Sequence, residues 1–154
     1  MRIRAKGTYY KELNEQVKES ADSGARVIHL HQVNGQRYIG TGINQRVRIV
    51  VERVPGNDLA AFMDGPTIVV KSNAQDGVGN TMNSGSVIIH GDAGDVIGYG
   101  MRGGRILIKG DVGYRVGIHM KSYRNLNPVI VIGGKARDFL GEYMAGGIII
   151  LLGL

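Results

Sequence analysis

The stretch VIIHGDAGDVIGYGMRGGR, residues 87–105, contains one complete copy of a pattern that the next stretch, ILIKGDVGYRVGIHM at 106–120, repeats. Each copy opens with a tetrad of mostly apolar residues, and each places glycine and methionine at the same distances from that tetrad. Working outward, successive tetrads begin at a constant interval, apart from one longer interval before Ile130, at Ile49, Ile68, Val87, Ile106, Ile130 and Ile149. A short internal repeat of this kind indicates a solenoid.

Other residues confirm the frame of the repeat. The longer interval contains YRNLNP at 123–128, which we interpret as a five-residue loop insertion, and an earlier, degenerate copy begins near Val27. Apart from Met1, every methionine follows a tetrad start at one fixed distance, at Met63, Met82, Met101, Met120 and Met144. A stacked methionine column is more often gap-filling core than a binding groove.

Glycines form two further columns at fixed distances from the tetrad starts, with Ala60 in place of glycine in one copy. Glycine allows the positive φ that tight corners need, so we predict structural turns at Gly79, Gly98, Gly117, Gly141, Gly85, Gly104 and Gly147. The unit is too short for a pair of helices and suits a coil of short strands. The sequence therefore predicts an all-β fold, a single-stranded right-handed parallel β-helix whose equivalent residues stack about 4.8 Å apart.

The start of the chain does not follow the repeat. Leu13, Val17 and Ala21 are spaced four apart in the polar segment 10–23, and Gly24 follows them. This spacing predicts a short amphipathic helix that ends near the glycine. We therefore divide the chain into a lead-in with the helix, residues 1–25, and a parallel β-helix, residues 26–154.

The composition excludes several classes of functional site. The chain has 25 glycines, no cysteine and a net charge of +6. Without cysteine it has no disulfide, no thiolate ligand and no thiol nucleophile, and we expect the reducing cytoplasm as its compartment. No apolar run reaches the roughly 18 residues of a membrane span. Because the basic residues are scattered and not interleaved with aromatic ones, we expect no nucleic-acid partner.

The motifs that could carry chemistry have simpler interpretations. Residues 98–103 fit G-x-G-x-x-G, but the repeat predicts a strand after them, where a dinucleotide site needs a helix. Asp76, Asp95 and Asp138 share one repeat position, and we interpret them as turn residues that bond their own backbone rather than as a calcium site. His29 and His31 alternate on one strand face without a matching second pair. We therefore expect no catalytic residue, no cofactor and no metal site.

One stripe of the predicted β-helix should face outward although it is apolar. In each tetrad the second and fourth residues point away from the core, and the fourth is polar in Glu52, Lys71, His90 and Lys109. The second is apolar and makes a candidate interface of Val69, Ile88, Leu107, Val131 and Ile150. The alternative is that the N-terminal helix covers this stripe.

The glycine columns, together with the stretches at 9–14, 35–40 and 139–147, resemble the C-terminal domain of the glutamate synthase large subunit in its stand-alone version. The resemblance implies a β-helix that braces amidotransferase and FMN-binding synthase subunits or domains and contributes residues to neither reaction. Glutamate synthase itself needs a cysteine nucleophile and an iron–sulfur cluster, so a chain without cysteine supplies neither.

The resemblance leaves alternatives open. A related β-helix forms a subunit of formylmethanofuran dehydrogenase, so the chain could belong to a different oxidoreductase, or it could be a free-standing homo-oligomeric scaffold. The domain that the chain resembles usually runs on for further coils, whereas the last tetrad here is followed by none. We therefore expect either that the sequence is a truncated form, or that another chain or a second copy covers that edge.

Overall fold

A computed structural model describes residues 1–154 as one parallel β-solenoid of about 19 residues per turn, with one short helix. Eight strands form a single sheet in which each strand pairs in parallel with the next in chain order. The elements are β1 Arg2–Arg4, α1 Tyr10–Asp22, β2 Val27–Asn34, β3 Arg48–Val54, β4 Asp64–Val70, β5 Ser84–Ile89, β6 Arg105–Ile108, β7 Val129–Ile132 and β8 Ile148–Leu151. Strands this close in sequence can be parallel because each coil is itself the crossover.

The predicted ladder of tetrads is confirmed. Ile49 aligns with Ile68, and the alignment continues through Val87, Ile106 and Ile130 to Ile149 at the last strand. The degenerate first copy also joins the sheet, although Ile28 rather than Val27 aligns with Ile49. Stacking like on like therefore sets the register of the entire sheet, because a one-residue slip would turn each apolar set to the wrong face.

The core lies inside the coils. In β6, Ile106 and Ile108 are buried while Leu107 between them is half-buried, as the alternation of strand side chains requires. The methionine column is also internal: Met63, Met82, Met101 and Met120 are fully buried, and Met144 is partly buried against the same cluster. The interpretation of this column as gap-filling core is confirmed.

The insertion at 123–128 is a tight excursion from the coil. Tyr123 and Leu126 exchange backbone hydrogen bonds of 3.1 and 2.8 Å, and the Ser122 hydroxyl lies 2.8 Å from the Asn127 side-chain oxygen. Because these bonds close the extra residues on themselves, the strands on either side keep the register of the repeat.

The lead-in contains the predicted helix and a strand that the sequence analysis missed. In β1, Ile3 aligns with Leu30, so the sheet begins before the helix rather than after it. So short a strand is too brief for a period-2 pattern to be recognised. The helix buries Leu13, Val17 and Ala21 in the same cluster as the coil interior. The Asn14 amide, in the same helix, donates to the Arg37 carbonyl oxygen at 2.9 Å, and the helix therefore closes the core at the first coil.

Candidate interaction surfaces

Four of the seven predicted turn glycines, Gly79, Gly98, Gly117 and Gly141, belong to an arc in which every second residue has a positive φ. The other three lie at or directly before the starts of β5, β6 and β8. In one coil, Val96, Gly98 and Gly100 have φ of 49°, 71° and 59°. Val96 and Gly100 donate their N–H groups to Tyr114 and Ile118 in the following coil, whereas Gly98 donates to Val78 in the preceding one. The arc thus joins each coil to both neighbours. The seven predicted turn glycines all lie in the positive region, with φ from 67° to 101°.

Packing explains why glycine recurs at the centre of this arc. A Cβ on Gly98 would lie 2.5 Å from the Cδ1 of Ile130, and Gly117 meets Ile149 in the same way. Ala60 takes the same place two coils before Gly98, also with a positive φ of 63°, and its equivalent partner in the repeat is Val87, which has no Cδ1. The glycine column is therefore matched in size to the isoleucine ladder that faces it.

The side chains of the aspartate column do not bond their own backbone, so that prediction was wrong. Asp76 and Asp95 accept from the next coil rather than from their own turns: Asp95 N–H donates to Asp76 Oδ1 at 2.7 Å, and Tyr114 N–H donates to Asp95 Oδ1 at 2.8 Å. Asp138, in the last of these turns, accepts no such bond. The reason is the stacking distance, because the neighbouring coil lies within hydrogen-bond reach of a short side chain directed along the solenoid axis.

A second polar ladder, which sequence reasoning missed, runs beside the first. Asn73 accepts from Asp92 N–H at 2.8 Å, Asp92 from Asp111 N–H at 2.7 Å, and Asp111 from Lys135 N–H at 2.8 Å. Its members share one position in the repeat, shortly after the tetrad, which was the available signal. These carboxylates and amides serve to hold coils together.

No cluster of three His, Cys, Asp or Glu side chains in the chain is arranged to hold a metal ion. His31 lies beside a carboxylate that the sequence analysis did not assign to it, with its Nδ1 2.9 Å from Glu52 Oε2. The G-x-G-x-x-G stretch at 98–103 runs into β6, so no helix receives a phosphate there. The single helix, α1, is too short and too polar to span a bilayer.

The outer apolar stripe is exposed only towards the later coils. Val69 is 2% exposed, so its placement in the candidate interface needs correction: a buried side chain offers no surface to a partner. Ile88, Leu107 and Val131 are half-buried, and Ile150 is 43% exposed. The helix lies at the end of the first coil and does not cover these four residues.

Those later positions form a groove. Ile88, Leu107 and Val131 line it from the outer face of the sheet, and Leu152 and Leu154 line it from the segment after β8. Its volume is about 410 Å³. We call it the apolar groove. An apolar groove of this kind on the outside of a sheet is typical of an interface.

Arginine and aromatic side chains meet on the surface of the last coils. The guanidinium of Arg115 lies 4.6 Å from the ring centre of Phe139, and that of Arg137 lies 5.6 Å from the ring of Tyr114. His119 stacks on Tyr143 with ring centres 5.2 Å apart. We call these six residues the aromatic–arginine surface. Sequence reasoning missed it because its members lie in different coils.

Charge is unevenly distributed along the solenoid. Residues 99–154 carry eight basic and three acidic side chains, whereas residues 1–98 carry eleven and ten. Most of the net charge therefore belongs to the later coils, where the aromatic–arginine surface lies.

The arrangement of glycines and coils has a counterpart among known families. The family model described as the GXGXG motif matches residues 12–154. The chain belongs to the GXGXG family. This is the domain type found at the C-terminus of the glutamate synthase large subunit.

One known protein is similar to this chain over almost its whole length. An uncharacterized protein of Methanocaldococcus jannaschii is 56% identical over 155 residues, which cover 99% of this chain and 59% of that protein. The chain thus spans about three-fifths of the length of the relative it matches. No solved structure was found to match this GXGXG chain.

Proposed function

We propose that this chain is a non-catalytic assembly element of a glutamate synthase-like enzyme. In that role it braces amidotransferase and FMN-binding synthase subunits or domains that together make glutamate from glutamine and 2-oxoglutarate. It acts in the cytoplasm, the compartment that suits a chain without cysteine. Membership of the GXGXG family supports the enzyme class, and the surfaces of the later coils support the role in assembly.

The observation that carries the proposal is the concentration of contact surfaces at one end of the solenoid. The apolar groove and the aromatic–arginine surface both belong to the later coils. Tyrosine and arginine are among the residue types most enriched in interface hot spots. A positive surface also steers an acidic partner into position, so we expect acidic side chains on the partner face that docks here.

Co-expression tests the proposal. The tagged chain, produced together with the amidotransferase and synthase subunits of its own organism, should be recovered in a stoichiometric complex. Leu107→Asp in the apolar groove should abolish recovery, because a carboxylate would be buried without a partner. Glu52→Gln, on the outer face of β3 and outside these surfaces, is the control and should leave recovery unchanged. Recovery of the chain without those subunits would contradict the proposal.

A second candidate is a homo-oligomeric scaffold, and the outer apolar stripe of the later coils favours it. Ile88, Leu107 and Val131 are half-buried and Ile150 is 43% exposed, so association with a second copy would bury this apolar stripe. Light scattering of the isolated chain at micromolar concentration should show self-association that Ile150→Lys removes. If the oligomers persist when the enzyme subunits are present in excess, the scaffold function is the correct one. A stable 16.6 kDa monomer would eliminate it.

A further inference from the structure

Three arginines line one groove near the start of the sheet. Arg26 precedes β2, Arg46 precedes β3, and Arg48 is the first residue of β3. The Arg48 N–H donates to the Arg26 carbonyl oxygen at 2.9 Å, so the two backbones are fixed to each other. The groove has a volume of about 690 Å³ and is lined mainly by polar side chains. We call it the arginine groove.

The guanidinium groups of this groove make no hydrogen bond, ion pair or aromatic contact with other side chains of the protein. Seven of the twelve arginines contact a side-chain partner elsewhere: Arg4 and Arg105 through hydrogen bonds, and Arg37, Arg102, Arg115, Arg124 and Arg137 through aromatic rings. Three of the remaining five line the arginine groove. The chain's single ion pair, between His31 and Glu52, involves none of them. Each guanidinium therefore keeps its five donors for a ligand.

One acidic residue lies in the groove, and it is already engaged. The Ser84 hydroxyl donates to Asp64 Oδ1 at 2.7 Å, so this carboxylate accepts from a hydroxyl rather than from an arginine. The Thr67 hydroxyl and the Asn44 amide are further donors along the wall. Three positive charges against one negative charge, with additional neutral donors, favour an anion with several acceptor oxygens.

The groove also has a defined shape. Gly65 and Gly85 form part of its lining, and Gly85 is packed so closely on the coil below that an added Cβ would overlap the Pro66 carbonyl oxygen. The wall is thus made of stacked backbone, which gives the arginines fixed points of attachment. Guanidinium groups match phosphate oxygens in bidentate geometry, and the volume falls in the range of small-molecule sites.

We propose that the arginine groove binds a phosphate group of a small molecule. This site is separate from the apolar groove and from the aromatic–arginine surface. Its occupancy is independent of the proposed role in assembly, so either proposal can fail without the other.

Calorimetric titration of the full chain with inorganic phosphate and with pyrophosphate, at low ionic strength, tests this site. Both should bind with a saturable one-site curve, and pyrophosphate should bind more tightly because it offers more charge and more oxygens. Arg46→Gln and Arg48→Gln should each weaken binding about tenfold, since each removes a charge-assisted pair of hydrogen bonds.

Arg53→Gln is the matched control. Arg53 lies in the same strand as Arg48, is exposed and has no side-chain partner, but it is outside the groove. It should bind both anions like the parent chain, and thermal melting should show that all three variants are folded. The absence of saturable binding, or an equal loss in Arg53→Gln, would overturn the proposal. Preferential binding of succinate, added as a dicarboxylate probe, would overturn the assignment to phosphate.

Discussion

At the first coil, Leu13 and Val17 of α1 are fully buried over the interior, whereas at the last coil Leu140, Leu151 and Leu152 are 37%, 46% and 54% exposed. The parallel pairing of strands is the same at both places, although the last tetrad, 149–152, is wholly apolar and the first, 28–31, contains two histidines. The two ends differ because a helix with its own amphipathic spacing covers one of them. Capping is therefore separate from the repeat, as in other solenoids, where terminal units must present a polar outer face.

Truncating one leucine at each end should show the largest difference. Leu13→Ala removes fully buried methyl groups from beneath the helix and should lower the free energy of unfolding by about 2–5 kcal/mol. Leu152→Ala, at a site more than half exposed, should change it by less than about 0.5 kcal/mol. Chemical denaturation followed by circular dichroism measures both. Equal losses would show that the last coil is as well packed as the first.

The methionine column allows the same comparison inside the coils. Met101→Ala should leave a cavity and cost about 2–5 kcal/mol, because Met101 is fully buried between other coils. Met144→Ala, in the last coil and only partly buried, should cost less than half as much. Thermal melting of the two variants measures both losses of stability. A loss for Met101→Ala as small as that of a surface substitution would contradict the placement of the column in the core.

Replacing a glycine in the arc of turns should have a smaller effect on stability, and a second glycine of the same arc serves as the control. Gly98 and Gly141 have nearly equal φ, 71° and 67°, but an added Cβ would overlap Ile130 at the first and make ordinary contact with Ile149, at 3.5 Å, at the second. Gly98→Ala should therefore destabilise by about 1–3 kcal/mol more than Gly141→Ala, as measured by chemical denaturation.

Shortening the facing side chain should recover part of that loss. The double variant Gly98→Ala with Ile130→Val reproduces the size match of Ala60 with Val87 and should be more stable than the sum of the single changes predicts by about 1 kcal/mol. Strict additivity in this cycle would mean that φ alone, rather than the contact with the ladder, requires glycine at Gly98.

The polar ladders should show the smallest difference. Asp95→Ala removes the acceptor for the Tyr114 N–H and should cost about 1 kcal/mol, whereas Asp95→Asn should be close to neutral because an amide oxygen accepts equally, as Asn57 does in the same ladder. Asp138→Ala, in the last of these turns, should change stability by less than about 0.5 kcal/mol. A measurable loss at Asp138 would indicate that a further group pairs with it.

Much of the fold could be predicted because the spacing of Ile49, Ile68, Val87 and Ile106 states which residues must stack. Once equivalent residues are required to align, the strand register and the internal position of Met101 follow. The same reasoning failed for β1, which is too short to show a pattern, and for Val69, whose burial on the outer face depends on neighbouring coils.

The aromatic–arginine surface of the later coils could not be predicted from residues that are close in sequence. Arg115 and Phe139 lie in successive coils, as do Tyr114 and Arg137, so no local window brings a guanidinium next to a ring. The expectation that aromatic and basic residues do not interleave was drawn from sequence neighbours alone. Comparing equal positions in the repeat would have found the first pair, because Arg115 and Phe139 lie at the same distance from their tetrad starts.

By itself, the sequence determined the period, the internal columns, the amphipathic helix and the glycine turns of this protein, because each depends on residues that recur at fixed intervals. Tertiary structure alone decided which coil donates the N–H groups that Asp76 and Asp95 accept, which part of the outer stripe stays accessible, and that Arg26, Arg46 and Arg48 share one groove. These depend on distances between neighbouring coils, where a rise of about 4.8 Å places residues a whole turn apart in direct contact.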